Sequence, residues 1–128
     1  MDKVVHFEIP FDDRDRAKGF YGEVFGWELN TMAMEGGDDY TTVTTTPVDT
    51  TTMMPTEPGG INGGLMDRTE QTPNPVITIG VAGIDDTLKK VEAAGGSTLV
   101  PRTAIPDMGA FAYFKDSEGN VMGLWETR

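Results

Sequence analysis

Residues 4–29, VVHFEIPFDDRDRAKGFYGEVFGWEL, decide the fold of this chain. The stretch begins with residues that alternate about a mostly apolar strand, a pattern that predicts β-structure. Pro10 is expected to end the strand, and Asp12 or Asp13 is then placed to cap a helix whose first turn is acidic. Gly26 stands where a helix C-cap is expected, and a second strand follows it directly. These residues therefore predict the order strand, helix, strand.

The predicted helix, which runs to about Phe25, carries one apolar stripe. Ala17, Phe20, Tyr21, Val24 and Phe25 fall at positions i, i+3, i+4, i+7 and i+8. This spacing places their side chains along one side of an α-helix. We therefore expect the stripe to be buried against the sheet.

The same order of elements occurs twice along the chain. After the first helix, the stretches WELNTMA, DYTTVTTT and INGGLMD predict strands. NPVITIGVAG then predicts a strand, IDDTLKKVEAAGG a helix capped by Asp85, and STLVPR, AFAYFKD and VMGLWE three further strands. A shift of 59 residues superimposes GGLMD (63–67) on MGLWE (122–126). The chain is therefore interpreted as one domain, residues 1–128, built from two β-α-β-β-β modules at about 3–68 and about 74–127.

The composition argues against several classes of function. The formal net charge of −11 repels phosphate backbones, so nucleic-acid binding is not expected. No apolar stretch approaches the roughly 20 residues that cross a bilayer, and the N-terminus lacks the pattern of a secretory signal. A cytoplasmic protein without a membrane partner is therefore expected. The absence of cysteine excludes disulfides, thiolate metal ligands and a cysteine nucleophile.

Three stretches together resemble the vicinal oxygen chelate superfamily, which includes glyoxalase I, extradiol dioxygenases, fosfomycin-resistance proteins and bleomycin-binding proteins. They are residues 4–29, VAGIDDTLKKVEAAGG and AFAYFKDSEGNVMGLWE. The resemblance implies an α+β fold in which two β-α-β-β-β modules form a curved, cleft-enclosing mixed sheet with the helices on the outside. It also implies a homodimer, which is frequent in this family.

The resemblance further implies where a metal would be held. In enzymatic members, each module supplies one ligand from its first strand and one from its fourth strand to a divalent metal. His6 occupies the first of these positions, but the fourth-strand positions fall on Gly64 and Gly123, and the remaining one falls near Val76 or Ile77. A lone histidine does not hold a catalytic metal in an ordinary site. No cofactor is therefore expected, and a divalent metal bound through unforeseen ligands is the disfavoured alternative.

The two glycines at the ligand positions have two interpretations. A missing side chain leaves room, so Gly64 and Gly123 can line an enlarged, metal-free pocket. Alternatively, they permit tight packing of strands. Glu126 lies three positions beyond Gly123, and Asp67 is equally displaced from Gly64, so alternation along the strand places both acids on the opposite face.

The remaining polar and aromatic candidates suggest two functions. His6 and Glu8 share a strand face and form a potential acid/base pair, to which Tyr113 adds a phenolic donor. The alternatives are a hydrogen-bonded histidine without catalytic role and a tyrosine packed in the core. The expected pocket residues are Gly64, Met66, Phe111, Tyr113, Gly123 and Trp125. The leading hypothesis is a metal-independent protein that binds a small organic molecule, and the alternative is a glyoxalase-, lyase- or isomerase-like enzyme that uses His6, Glu8 and Tyr113.

Overall fold

The computed structural model describes residues 1–34 and 39–127, and it repeats the order β-α-β-β-β twice. The elements are β1 (Lys3–Phe11), α1 (Arg14–Phe25), β2 (Glu28–Ala33), β3 (Asp39–Thr44), β4 (Asn62–Asp67), β5 (Val76–Gly80), α2 (Ile84–Ala93), β6 (Ser97–Ile105), β7 (Gly109–Lys115) and β8 (Val121–Thr127). The predicted α+β class and the predicted order of elements are confirmed. Neither α1 nor α2 is long and apolar enough to span a membrane, and the described residues contain no other helix that is.

The chain divides into two compact units. The N-terminal unit is His6–Pro75, and the C-terminal unit is Met1–Val5 with Val76–Arg128. Strands in the N-terminal unit lie in the order β2-β3-β4-β1, and those in the C-terminal unit in the order β5-β8-β7-β6. In both units the first strand pairs in parallel with the fourth, while the other neighbours are antiparallel. The two units therefore repeat one topology.

The core of the N-terminal unit lies between α1 and one face of its sheet. Phe11 and Leu65 are buried there, and Ala17 of α1 packs against them. Because strand side chains alternate between faces, His6 and Glu8 lie on the opposite side. We call this side the distal face of the N-terminal unit.

The core of the C-terminal unit is built in the same way around α2. Ile84 of α2 is fully buried among Ala112 of β7 and Leu124 of β8. The alternating residues Tyr113 and Trp125 are half-buried on the opposite side of these strands, the distal face of the C-terminal unit.

Two strands extend further than the sequence predicts. Pro10 does not end β1, which continues to Phe11, and pairing persists because the Arg68 N–H donates to the Phe11 carbonyl at 3.0 Å. A proline near the end of a strand removes only one donor from the ladder. β6 runs through Pro101 to Ile105, and shifts in its register against β7 on both sides of Val100 accommodate the proline.

The caps of the two helices differ in origin. Asp13 caps α1 as expected, with its Oδ1 accepting from the Arg16 N–H at 3.0 Å. The assignment of Asp85 as the cap of α2 is wrong, since α2 follows Gly83, which offers no side chain. Instead Glu126 of β8 accepts from the Ile84 N–H at 2.8 Å. An orphan donor at a helix start is satisfied here by a residue from a distant strand, which local sequence does not indicate.

Replacing Glu126 with glutamine is expected to destabilise the protein near neutral pH but not in strong acid. The hydrogen bond from Arg102, followed by that from Ile84, holds the pKa of Glu126 below its usual 4.5. A lowered folded-state pKa means that the ionised group stabilises the fold above pH 4.5, and that this contribution is lost as the pH falls through the folded-state pKa. Urea unfolding of both proteins at neutral and at strongly acidic pH measures the difference. A difference that persists unchanged into acid would contradict the prediction.

The apolar stripe of α1 is not buried, contrary to the sequence prediction. Phe20, Val24 and Phe25 are 55%, 56% and 58% exposed, and no residue of α1 is fully buried. Only the side of the helix that carries Ala17 and Tyr21 turns toward the sheet. The helix is rotated away from its stripe: Gly22 faces β2, where a Cβ atom would lie 3.7 Å from Leu29 Cδ1, and Phe20 and Val24 lie more than about 150° around the helix from Gly22.

Candidate functional site

The distal face of the N-terminal unit gathers several of the predicted site residues. In the parallel pair of β1 and β4, His6 lies opposite Asn62, Glu8 opposite Gly64, and Pro10 opposite Met66. Because opposite residues in a ladder share a face, His6, Glu8, Gly64 and Met66 lie on this one face of the sheet.

A tyrosine joins this group from β3. The Tyr40 hydroxyl lies 3.4 Å from His6 Nε2, and Glu8 Oε1 lies 3.7 Å from the same nitrogen. The His6 side chain is 30% exposed and that of Glu8 is 17% exposed. We call these three residues the His6 cluster. It combines an imidazole, a carboxylate and a phenol, all partly or largely shielded from water.

Tyr40 occupies the space that Gly64 leaves. A Cβ atom on residue 64 would lie 2.6 Å from Tyr40 Cζ and closer still to the hydroxyl oxygen. Burial, and to a smaller extent the charge of Glu8, raises the pKa of Tyr40, so its hydroxyl stays protonated and retains a hydrogen to donate. Tyr40 is the site residue that sequence reasoning missed. The signal was present, since it is the one aromatic residue in the threonine-rich strand DYTTVTTT.

The C-terminal unit fills its matching space differently. Thr78 of β5 lies opposite Gly123 of β8, and a Cβ atom on residue 123 would lie 2.6 Å from Thr78 Oγ1. Both glycine positions are therefore taken up by neighbouring side chains. This agrees with the tight-packing interpretation, and neither glycine by itself enlarges a pocket.

The strand registers locate the residues that correspond between the two units. Glu8 lies opposite Gly64 as Thr78 lies opposite Gly123, so Val76 is the counterpart of His6. Val76 is 1% exposed and has no donor atom in its side chain.

The four implied ligand positions do not fit a divalent metal, because only the first strand of the N-terminal unit supplies a ligand. Glu126 lies near the start of α2. Its carboxylate accepts from the Ile84 N–H of α2 and from the guanidinium of Arg102 on β6. Across residues 1–34 and 39–127, no three His, Asp or Glu side chains are grouped so as to hold a metal ion.

Asn62, the neighbour of His6 on β4, has a structural role. Its Oδ1 accepts from the N–H groups of Thr45 and Thr46 at 2.7 and 3.0 Å, and its Nδ2 donates to the Thr46 carbonyl at 3.1 Å. These bonds fix the start of the long loop between β3 and β4. The Asn62 amide is therefore engaged by backbone beside the His6 cluster.

The distal face of the C-terminal unit brings together the predicted aromatic residues. Phe111 lies opposite Trp125, and Tyr113 lies opposite Gly123. The rings of Phe111 and Tyr113 meet edge to face with centroids 5.8 Å apart. Tyr113 therefore belongs to an aromatic surface of this unit, whereas the His6 cluster belongs to the other unit.

Comparisons with known proteins agree with this architecture. Residues 3–46 match the family model described as bleomycin resistance protein-like N-terminal. A glyoxylase-like domain-containing protein from Didymella fabae is 30% identical over 127 residues, which cover 95% of this chain and 91% of that protein.

Solved structures share the fold at low sequence identity. Hypothetical protein BH1468 from Bacillus halodurans C-125 matches with a TM-score of 0.67 and 14% identity, covering 99% of this chain and 95% of that chain. Methylmalonyl-CoA epimerase from Mycobacterium tuberculosis matches with a TM-score of 0.65 and 15% identity, covering 98% of this chain and 87% of that chain. With the repeated β-α-β-β-β topology, these matches establish that the chain belongs to the vicinal oxygen chelate superfamily of glyoxalase-like and bleomycin-resistance-like proteins.

Proposed function

We propose that this protein binds a small organic molecule at the His6 cluster without a metal ion. The observation that carries the proposal is the position of Tyr40, whose hydroxyl lies over Gly64 and beside His6. Where a metal-binding relative would carry a carboxylate, this chain carries a neutral hydrogen-bond donor. All three residues of the cluster fall within the stretch that matches the bleomycin resistance protein-like family model.

The chemistry of the cluster favours a neutral or cationic polar ligand. Tyr40 offers a protonated hydroxyl, Glu8 offers a carboxylate, and the partly exposed imidazole of His6 is accessible. A shielded carboxylate interacts more strongly with a ligand cation or donor than an exposed one does. Anionic ligands meet both Glu8 and the net charge of −11, so we expect them to bind weakly.

The distances within the cluster also support an enzymatic alternative. Glu8 is 3.7 Å from His6 Nε2, close enough to orient the imidazole, and Tyr40 is placed to donate to a ligand. Such a pair supports proton abstraction in a glyoxalase-, lyase- or isomerase-like reaction. Incubating identified ligands with the protein in D2O and measuring deuterium uptake distinguishes catalysis from binding. Uptake that is lost in His6→Ala would favour the enzyme.

A thermal-shift screen of neutral, cationic and anionic metabolites tests the binding proposal. A ligand present at about 100 times its Kd stabilises the folded state by about 2.7 kcal/mol. We expect Tyr40→Phe to weaken binding of such a ligand by about 3- to 10-fold, the effect of one lost hydrogen bond. Tyr113→Phe is the matched control, because it removes the same group from the other unit. Binding that depends on Tyr113 and not on Tyr40 would place the site elsewhere.

Metal analysis of protein purified without chelator tests the second part of the proposal. We expect less than one equivalent of any divalent transition metal, because His6 is the only ligand at the four implied positions. One equivalent of zinc, nickel, manganese or iron that is lost in His6→Ala would contradict the metal-independent function.

A further inference from the structure

The outer side of α1 forms a surface without a partner in the described chain. It consists of Arg16, Gly19, Phe20, Glu23 and Val24, all of which are exposed, and we call it the α1 patch. Phe20 and Val24 lie one helical turn apart and expose more than half of their surface. α2 carries no equivalent patch, because the exposed large apolar residues of the described chain include none of its side chains.

Within residues 1–34 and 39–127, no contact explains why residue 19 of α1 is a glycine. Glycine inside a helix costs about 1 kcal/mol relative to alanine. A Cβ atom on residue 19 would meet nothing within 4 Å, whereas one on Gly22 would contact the Trp27 carbonyl at 3.6 Å. The missing side chain at residue 19 instead leaves the helix backbone accessible from outside, as close approach of a second helix requires.

The charge of α1 differs from that of the rest of the chain. α1 holds Arg14, Arg16 and Lys18 against Asp15 and Glu23, a net charge of +1 in a chain of net −11. The excess of acidic charge that would make two copies repel each other is therefore absent from this helix. Neither Arg16 nor Glu23 forms an ion pair within residues 1–34 and 39–127.

The spacing of these two charges makes the patch complementary to itself. Arg16 and Glu23 are separated by about 10 Å along the helix axis and lie on the same side. A two-fold axis between Gly19 and Phe20 would place each Arg16 against the Glu23 of a second copy, with Phe20 and Val24 at the centre. We infer that α1 pairs antiparallel with α1 of a second copy of this chain through the α1 patch. This inference is independent of the proposed ligand site.

The size of the patch sets the strength of this dimer. Two short helices bury less area than the roughly 1,200 Å² at the lower limit of standard stable interfaces. The dimer is therefore reversible, and monomer and dimer exchange with concentration.

Sedimentation velocity over a range of protein concentrations tests the pairing with charge reversals. Arg16→Glu and Glu23→Arg each replace two attractive contacts with two repulsive ones, so each variant alone dimerises at least about 10-fold more weakly. An equimolar mixture of the two variants regains the affinity of the natural chain, because both contacts are attractive in the mixed dimer. Phe20→Ser weakens the dimer in every combination. Lys89→Glu and Glu92→Arg, which reverse exposed charges on α2, leave the affinity unchanged.

Three results would overturn the inference. They are a monomer at all concentrations, a dimer that is insensitive to Arg16→Glu and Phe20→Ser, and variants that do not associate when mixed although circular dichroism shows both folded. Association of the natural chain only with a different protein would assign the patch to that partner and also contradict the inference.

Discussion

Replacing Gly63 with alanine is expected to lower the free energy of unfolding by about 3 kcal/mol. The new Cβ atom would lie against the Phe7 carbonyl oxygen and within 2.6 and 2.7 Å of two carbons of the Phe7 ring. The carbonyl belongs to the part of β1, from His6 to Phe11, that pairs with β4, so it cannot move without disturbing the ladder. Urea unfolding monitored by circular dichroism measures the loss.

Two further variants separate this clash from the general cost of altering a strand glycine. Phe7→Ala should not rescue Gly63→Ala, because the conflict with the backbone carbonyl remains. Gly80→Ala is the matched control in β5, since its Cβ atom would lie 3.2 and 3.3 Å from the Val5 side chain and no closer than 3.9 Å to backbone. An equal loss for Gly63→Ala and Gly80→Ala would show that the close approach of Phe7 does not matter.

Replacing Gly64 with alanine is expected to cost about 1 to 3 kcal/mol through a different mechanism. Here the obstacle is the side chain of Tyr40, with its Cζ atom 2.6 Å from the new Cβ position. The tyrosine must leave the space over residue 64, which also removes its hydroxyl from His6. We therefore expect Gly64→Ala to weaken ligand binding at least as much as Tyr40→Phe does, where the proposed site is correct.

A double-mutant cycle isolates the contact between Gly64 and Tyr40. In a Tyr40→Ala background the space is empty, so Gly64→Ala should cost almost nothing, and the coupling energy should equal the full cost of about 1 to 3 kcal/mol. Additive losses would mean that the tyrosine does not occupy this space. Gly63 and Gly64 are adjacent in β4, and their Cβ positions point to opposite faces of the sheet. Comparing the two alanine variants therefore distinguishes a conflict with backbone from a conflict with a side chain.

The sequence was most informative where the controlling contact is local. Alternation predicted strands, and Asp12 or Asp13 together with Gly26 predicted the two ends of α1, because capping bonds join residues that are close in the chain. It was less reliable where the partner is distant. The carboxylate that accepts from the first N–H of α2 belongs to Glu126, 42 residues from Ile84, and neither residue indicates the other in the sequence.

The amphipathic pattern of α1 shows a second limit. The pattern identified the helix correctly but not the fraction of it that the sheet covers. Phe20 and Val24 belong to the same stripe as Ala17, yet only Ala17 meets the core. Periodicity reports that a surface is apolar, while the covering partner is a property of tertiary or quaternary structure.

The sequence by itself determined the duplicated β-α-β-β-β order, the superfamily resemblance and the absence of side-chain ligands at Gly64 and Gly123, because periodicity, capping and residue type are local properties. Tertiary structure alone decided what fills the space beside those glycines. Tyr40 lies 24 residues before Gly64, and only the pairing of β3 with β4 brings its hydroxyl over that glycine and beside His6. Side chains from separate strands meet through the strand register, and the register is fixed by the packing of the whole sheet.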